Sequence, residues 1–291
     1  MEKKEETFPF LYEFSDLYAL YIQPLNVFNV CLQQFSLKQR FPRFMATCAI
    51  SGPPSIFYTG GKSESKSYKL TVQITLNLAE STIVEESKEK MNHAHFCHAM
   101  ATINNDQILA ISGFDHEELA SKRCEKYILS HQKWYDMSSV PTPRGFAAVC
   151  TLENQVVYLF GGATDPSEIT MIDAIDCYRV VPDRWETIKL LLNQGWRART
   201  GAAACPIDDD TILVFGGTEK KDQDSTLSLE FIPNSTAIRK TSVLHSASSF
   251  YGENSLCVKK YKNFVYAVHD HICHIYNIDT HIWKKVKLEL K

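Results

Sequence analysis

Short apolar runs, separated by polar and turn-forming residues, follow one another along the whole chain. The runs VVYLF (156–160) and TILVF (211–215) are rich in β-branched and aromatic residues, and each is followed at once by two glycines. Runs of this length predict buried strands, and the paired glycines predict a turn with positive φ or a close backbone approach. The pattern therefore predicts an all-β protein.

A bulky residue followed seven positions later by a second one recurs with a period of about fifty residues. Three copies pair a Tyr with a Trp, and three more keep the spacing with other apolar residues. The six pairs are Tyr127 and Trp134, Tyr178 and Trp185, Tyr276 and Trp283, Phe28 and Phe35, Leu76 and Ile83, and Phe231 and Ile238. Such a period is typical of repeat architectures in which each copy is one supersecondary unit.

Four of the repeats also contain a run of small residues before the glycine-ended strand, at 46–49, 99–102, 147–150 and 202–205. Small side chains suit an innermost strand, where neighbouring sheets converge. Each repeat is therefore predicted to be a four-stranded antiparallel meander, and the whole chain (1–291) a single six-bladed β-propeller domain. The approximate blade boundaries are 7–41, 42–91, 92–142, 143–195, 196–247 and 248–291.

The paired glycines, the Tyr-to-Trp spacing of seven and the dipeptides Pro42-Arg43 and Pro143-Arg144 resemble the kelch-repeat family of β-propellers. The resemblance covers nearly the whole chain and is strongest in the third and fourth repeats. It implies a scaffold, a cytoskeletal or organelle-associated component, or a substrate adaptor of a ubiquitin ligase. Because some kelch propellers are enzymes, it also leaves open a propeller enzyme acting on a small sugar-like ligand at the channel mouth.

Charge and composition make some classes of function unexpected for this chain. The net charge of −3 provides no overall cationic field, so we expect no dedicated nucleic-acid binding. The nine cysteines are odd in number, and the amino terminus has no apolar segment typical of a secretory signal, so we expect a cytoplasmic protein. The apolar stretch 17–35 is interrupted by polar residues and predicts strands rather than a membrane span.

The long connections of each predicted blade, after its second strand and between blades, emerge on one face, which we call the long-loop face. Counting back seventeen residues from the first glycine position places Arg43, His95, Arg144 and Arg199 at the same rim position of four blades. Arg197 and Trp196, in a connection between blades, lie nearby. The sequence leaves two alternatives open: a docking site for an acidic or phosphorylated segment of a partner protein, or arginines that brace the scaffold itself.

Two histidine-rich runs, 93–98 and 269–274, contain residue types that bind zinc, but neither has a recognised paired spacing. We expect no metal there and treat these histidines as ordinary strand and turn residues. No nucleophile elbow, phosphate-binding loop or dinucleotide fingerprint occurs, so we expect neither catalysis nor a cofactor. The sequence thus predicts a non-enzymatic protein-binding module of the scaffold or adaptor kind that uses its long-loop face.

Overall fold

The described residues of the protein form β-strands and the turns that join them. The computed structural model describes residues 11–14, 18–24, 30–37, 41–51, 53–64, 66–167, 170–188, 196–219, 226–232, 237–244, 257–269 and 271–288. No helix occurs among these residues. The described part of the chain accordingly has no helix long and apolar enough to span a membrane.

Five four-stranded antiparallel sheets follow one another along the chain, and we number them blades 1 to 5. The first two blades are built in strict sequence order, with each strand paired to the next. Blade 1 contains β4 (Arg43–Ile50), β5 (Ser55–Ser63), β7 (Thr71–Asn77) and β8 (Thr82–Ser87), with the short β6 (Lys66–Ser67) paired to β5. Blade 2 contains β9 (Ala99–Ile103), β10 (Gln107–Ile111), β11 (Cys124–Ile128) and β12 (Lys133–Met137).

Blades 3 to 5 repeat the same meander. Blade 3 contains β13 (Ala148–Leu152), β14 (Val156–Phe160), β15 (Ile175–Arg179) and β16 (Arg184–Thr187). Blade 4 contains β18 (Ala203–Pro206), β19 (Thr211–Phe215), β21 (Thr226–Phe231) and β22 (Ile238–Leu244), and a separate pair joins β17 (Arg199–Thr200) to β20 (Thr218–Glu219). Blade 5 contains β23 (Cys257–Tyr261), β24 (Phe264–His269), β25 (Ile272–Asn277) and β26 (Ile282–Lys287).

The five sheets are arranged as a β-propeller. The first strand of each blade lies beside the first strand of the next, in the order β4, β9, β13, β18 and β23. Apolar residues of neighbouring sheets pack face to face in separate clusters, such as the one that joins Ala203 and Phe215 of blade 4 to Val265 and Tyr276 of blade 5. The core therefore lies between the blades, and the innermost strands surround the central axis.

The spacing of seven predicts the hairpin register of all five blades. Leu76 lies directly opposite Ile83, and the two Tyr–Trp pairs of blades 2 and 3 face each other in the same way. The pairs of blades 4 and 5, Phe231 with Ile238 and Tyr276 with Trp283, do so too. In blades 1, 2, 3 and 5 the fixed spacing produces this pairing because a turn of the same length joins the third strand to the fourth.

The prediction of six blades is wrong: the described part of the chain forms five. The segment predicted as the first blade forms a three-stranded sheet of β1 (Leu11–Phe14), β2 (Tyr18–Pro24) and β3 (Val30–Ser36). Phe35 lies opposite Ala19 of β2, so the proposed pairing of Phe28 with Phe35 fails; Phe28 itself lies outside the described residues. The prediction failed because, without a Tyr or Trp, the pattern required only two bulky apolar residues seven positions apart.

The three-stranded sheet lies where the propeller closes. Its strand β1 runs beside β23 and β24 of blade 5. Phe35 and Phe41 belong to one apolar cluster with Tyr58 of blade 1 and Tyr266 of blade 5. The first and last blades are thus joined through side chains that the amino-terminal segment contributes.

A ring of backbone hydrogen bonds links blades 1 to 4 where their inner strands begin. The Cys97 amide donates to the Phe44 carbonyl (2.9 Å), the Phe146 amide to the Cys97 carbonyl (3.0 Å), and the Gly201 amide to the Phe146 carbonyl (2.9 Å). All four residues have positive φ, between 51° and 64°. We call these four residues the backbone ring. They mark equivalent positions along the propeller axis in the four blades.

Candidate functional site

The rim residues predicted from the sequence do not share one environment. His95, Arg144 and Arg199 are each about 1% exposed, so their side chains lie inside the protein. Their backbone carbonyl groups link neighbouring blades. Each carbonyl accepts a hydrogen bond from a glycine amide at the end of the second strand of the preceding blade. The Gly61 amide donates to His95 (2.9 Å), the Gly113 amide to Arg144 (2.8 Å) and the Gly162 amide to Arg199 (2.8 Å). This position is therefore a joint between blades.

Arg144 is held by blade 3 through a complete set of acceptors. Its Nε donates to the Thr142 carbonyl (3.0 Å), its Nη1 to the carbonyls of Gly161 (3.2 Å) and Ala174 (3.1 Å), and its Nη2 to the Asp176 carboxylate. Both side chains of this ion pair are fully buried. Burial lowers the pKa of Arg144, and the Asp176 charge opposes that shift. The guanidinium thus joins the end of β14, through Gly161, to the start of β15, through Ala174.

His95 and Glu125 occupy the same place in blade 2. His95 Nε2 lies 3.3 Å from Glu125 Oε1, yet neither ring nitrogen of His95 has a hydrogen-bond partner of acceptable geometry. The buried Glu125 carboxylate instead accepts hydrogen bonds from the backbone amides of Asn92 (2.7 Å) and His93 (3.2 Å). The acid therefore holds the connection between blades 1 and 2.

His98 lies beside this pair, with its ring centroid 5.8 Å from that of His95. Its Nε2 is 2.7 Å from the Thr59 hydroxyl of blade 1. Burial, together with the His95 charge, lowers the pKa of His98 well below its usual range, so the ring is neutral at physiological pH. Among the described residues, no group of three or more His, Cys, Asp or Glu side chains is placed to hold a metal ion.

The aromatic residue predicted as an exposed contact, Trp196, is half-buried. Its ring packs 5.9 Å from that of Phe160, and its Nε1 donates to the Asp173 carbonyl. The Arg199 guanidinium lies 5.9 Å from the Trp196 ring centroid, and Arg199 Nη1 donates to the Gly216 carbonyl at 3.3 Å. Both residues thus support the connection between blades 3 and 4.

Arg43 and Arg197 are the two predicted cations with exposed side chains. Arg43 also stands one residue away from the predicted register. It pairs with Lys62, directly after the second glycine, and this is the place that Phe96 and Gly145 occupy opposite Phe114 and Ala163. The structural counterpart of His95 and Arg144 in blade 1 is therefore Pro42, because the segment between the paired residues is one residue longer there.

The long-loop face is ordered by contacts within and between blades. The Asp115 carboxylate accepts hydrogen bonds from the amides of Glu117 (2.9 Å) and Leu119 (3.1 Å), which fixes the loop after β10. Lys62 of blade 1 forms an ion pair with Glu118 of that loop and lies 4.9 Å over the Phe96 ring. Leu119 is left 58% exposed at the tip of this fixed loop.

A cavity of about 430 Å³ runs along the propeller axis between the inner strands of all five blades. Most of its lining is neutral and small, with alanines, threonines and the thiols of Cys48, Cys150, Cys205 and Cys257. These four thiols are buried and form no disulfide. Burial raises the pKa of Cys48 and of Cys205 to about 12, so both are protonated and weakly nucleophilic near neutral pH.

Sequence reasoning missed the two buried acids that complete the joints between blades. Glu125 and Asp176 each stand two residues before the Tyr of a Tyr–Trp pair, at 127 and 178. An acid at this offset, two residues ahead of a buried Tyr, is the signal that would have found them. The chain matches no protein-family model, and no curated protein matches it either.

Proposed function

We propose that this protein is a kelch-type β-propeller that acts without catalysis and binds another protein through its long-loop face. The kelch assignment is supported by the spacing of seven, which recurs in all five blades, and by the glycine pairs at the ends of three second strands. Their positive φ and tight surroundings explain why glycine is used there.

The observation that carries the proposal is the fixed loop of blade 2. Lys62–Glu118 and the Asp115 hydrogen bonds hold this loop against blade 1 and leave Leu119 exposed. A rigid scaffold that displays an exposed apolar residue among charged ones suits protein recognition, since little conformational entropy is lost on binding. Phe44, 38% exposed at the backbone ring, adds a second apolar contact on the same face.

The cationic part of the proposed surface consists of exposed rather than buried residues. Of the cations that the sequence predicts at the rim, Arg43 and Arg197 have exposed side chains that can meet an acidic or phosphorylated segment. The partner-binding role of His95, Arg144, Arg199 and Trp196 stays a prediction, and their burial favours bracing of the scaffold. A scaffold or adaptor role, in a cytoskeletal or ubiquitin-ligase assembly, remains part of this proposal, as does a cytoplasmic location.

The test compares two exposed apolar residues on opposite faces. Leu119 lies on the long-loop face, and Val181, which is 86% exposed, lies in the turn between β15 and β16 on the other face. Proteins captured from native cells by the wild-type chain are quantified by mass spectrometry and compared with those captured by Leu119→Asp and Val181→Asp. We expect a specific partner to be lost with Leu119→Asp and retained with Val181→Asp. Equal retention in both variants overturns the proposal for this face.

A further inference from the structure

The central channel is built in layers, and the backbone ring identifies them. Four residues beyond each member of the ring, blades 1 to 4 contribute Cys48, Ala101, Cys150 and Cys205, respectively. All four residues belong to the lining of the channel. They form one layer of small, neutral side chains across four blades.

Blade 5 contributes a cation to this layer. Trp283 Nε1 donates to the Thr226 hydroxyl of blade 4 (3.1 Å), as Trp134 Nε1 donates to the Thr71 hydroxyl of blade 1 (2.9 Å). Blade 5 therefore sits on blade 4 as blade 2 sits on blade 1, and Lys259 is the counterpart of Ala101. Lys260 then stands one layer further along the axis, at the counterpart of Thr102.

Both lysines line the channel, and among the described residues its lining contains no Asp or Glu. No ion pair joins either lysine to another side chain in the described part of the protein. The Lys259 charge lowers the pKa of Cys48 and of Cys205 against the larger effect of burial. The Lys259 charge is thus close enough to affect thiols of both blade 1 and blade 4.

The channel lining also offers backbone hydrogen-bond donors. Each inner strand is the end strand of its sheet, and such strands present unpaired backbone N–H groups. A ligand that accepts hydrogen bonds and carries negative charge would satisfy these backbone donors.

We propose that the channel is a binding site for a small oxyanion, a free carboxylate- or phosphate-bearing molecule, anchored by Lys259 and Lys260. The cavity volume of about 430 Å³ lies within the usual range of small-molecule sites, about 300–1,000 Å³. Lys259 is partly buried and Lys260 is exposed, and a bound anion would compensate the positive charge that both lysines bring to the channel lining. This site is separate from the proposed partner surface on the long-loop face.

Isothermal titration calorimetry of the full chain with inorganic phosphate, pyrophosphate and citrate, at constant ionic strength, tests the site. We expect saturable binding with one anion per chain for at least one probe. Lys259→Met and Lys260→Met each remove one charge-assisted contact and should weaken binding by about 10-fold or more. The control is Lys262→Met, since Lys262 lies beside the Tyr261 ring outside the channel lining. Equal weakening in all three variants, or none in the first two, overturns the proposal.

Alkylation of the thiols gives a second measurement at the site itself. A bound anion should slow alkylation of Cys48 and Cys205, read by peptide mass spectrometry, while Cys124 should react unchanged. Cys124 is the matched control because it is as buried, and its pKa is likewise raised to about 12, but it does not line the channel. Equal protection of Cys124 would assign the effect to general stabilisation and overturn the proposal.

One variant separates an external ligand from an internal one. Strand β1 runs beside β23 and carries Glu13 in its sequence. If the wild-type chain binds no anion and Glu13→Gln binds one, the two lysines serve a carboxylate of this protein, and the proposal is wrong. If both chains bind with similar affinity, the ligand is external, as proposed.

Discussion

Blades 2 and 3 solve the same structural problem with different chemistry. In both, a basic side chain at the joint faces a buried acid on the third strand: His95 with Glu125, and Arg144 with Asp176. Arg144 makes four hydrogen bonds from its guanidinium, whereas the two ring nitrogens of His95 make none. The backbone hydrogen bond at the joint is the same in both blades. We therefore infer that the main chain sets the geometry of the joint, and that the side chains set how much each joint contributes to stability.

The largest effect is expected when the basic side chain at the joint is removed from each blade. Arg144→Met should lower the free energy of unfolding by about 3–5 kcal/mol, because it leaves the buried Asp176 charge uncompensated. His95→Gln should cost much less, since His95 makes no side-chain hydrogen bond and Glu125 keeps its two backbone donors. Urea unfolding followed by tryptophan fluorescence measures both losses.

The control for the arginine is Arg184→Met, which removes a 62% exposed side chain from its ion pair with Glu186 in the same blade. An exposed pair of this kind contributes about 0–1 kcal/mol. Comparable losses for Arg144→Met and His95→Gln would contradict the idea that the two joints differ in strength.

A second test asks whether the main-chain joint is truly equal in the two blades. The His95 carbonyl accepts from Gly61 and the Arg144 carbonyl from Gly113. A Cβ atom at Gly61 would lie 3.0 Å from the Arg43 carbonyl oxygen, and one at Gly113 would lie 2.7 Å from the Phe96 carbonyl oxygen, both at φ near +90°. We expect Gly61→Ala and Gly113→Ala to destabilise the protein by similar amounts, about 1–3 kcal/mol each. A much smaller loss in either variant, by thermal or urea unfolding, would show that the joint of that blade yields more easily.

The smallest expected effect is a change in how the free energy of unfolding depends on pH, and it arises from His98 of blade 2. The pKa of His98 is lowered in the folded protein, so the unfolded chain takes up the proton first as the pH falls. This contribution to stability is therefore complete above about pH 6.5 and is lost as the pH falls below that value. His98 faces His95 and, beyond it, Glu125.

Replacing His98 with Gln should flatten the fall in unfolding free energy between pH 7 and pH 5. The control, His116→Gln, should leave that slope unchanged, because the His116 side chain is 73% exposed. Unfolding curves at several pH values measure the slope. An unchanged slope in His98→Gln would show that other groups dominate the acid sensitivity.

The architecture was largely accessible from the sequence, because hairpin register depends on local spacing. A pair seven residues apart identifies the turn between the third and fourth strands, and this prediction is confirmed in all five blades. The same rule failed at Phe28 and Phe35, where the relaxed residue types fitted a segment with different pairing. Local spacing cannot tell a repeat from a coincidence when its chemical signature is absent.

The candidate site was less accessible, because side-chain burial depends on contacts that are distant in sequence. The arginine at 144 looks like a rim cation until Asp176 and the carbonyl of Ala174 are brought around it. The one-residue offset at Arg43 follows from the longer paired segment of blade 1, which a fixed count from the glycines cannot detect. The channel lysines belong to blade 5, which has neither a glycine pair nor the Ser-Gly counterpart found in blade 2, so no position could be counted from it.

The cluster that joins the first and last blades has a kinetic consequence. Phe35 and Leu288, from near the two ends of the described chain, both belong to it, so the cluster joins residues that are far apart in the sequence. Formation of long-range sheet contacts is slow, since the loop-closure entropy is lost before the contacts compensate for it. During synthesis the apolar face of blade 1 remains uncovered until blade 5 has left the ribosome. Closure should therefore be the last step of folding and the stage most exposed to aggregation.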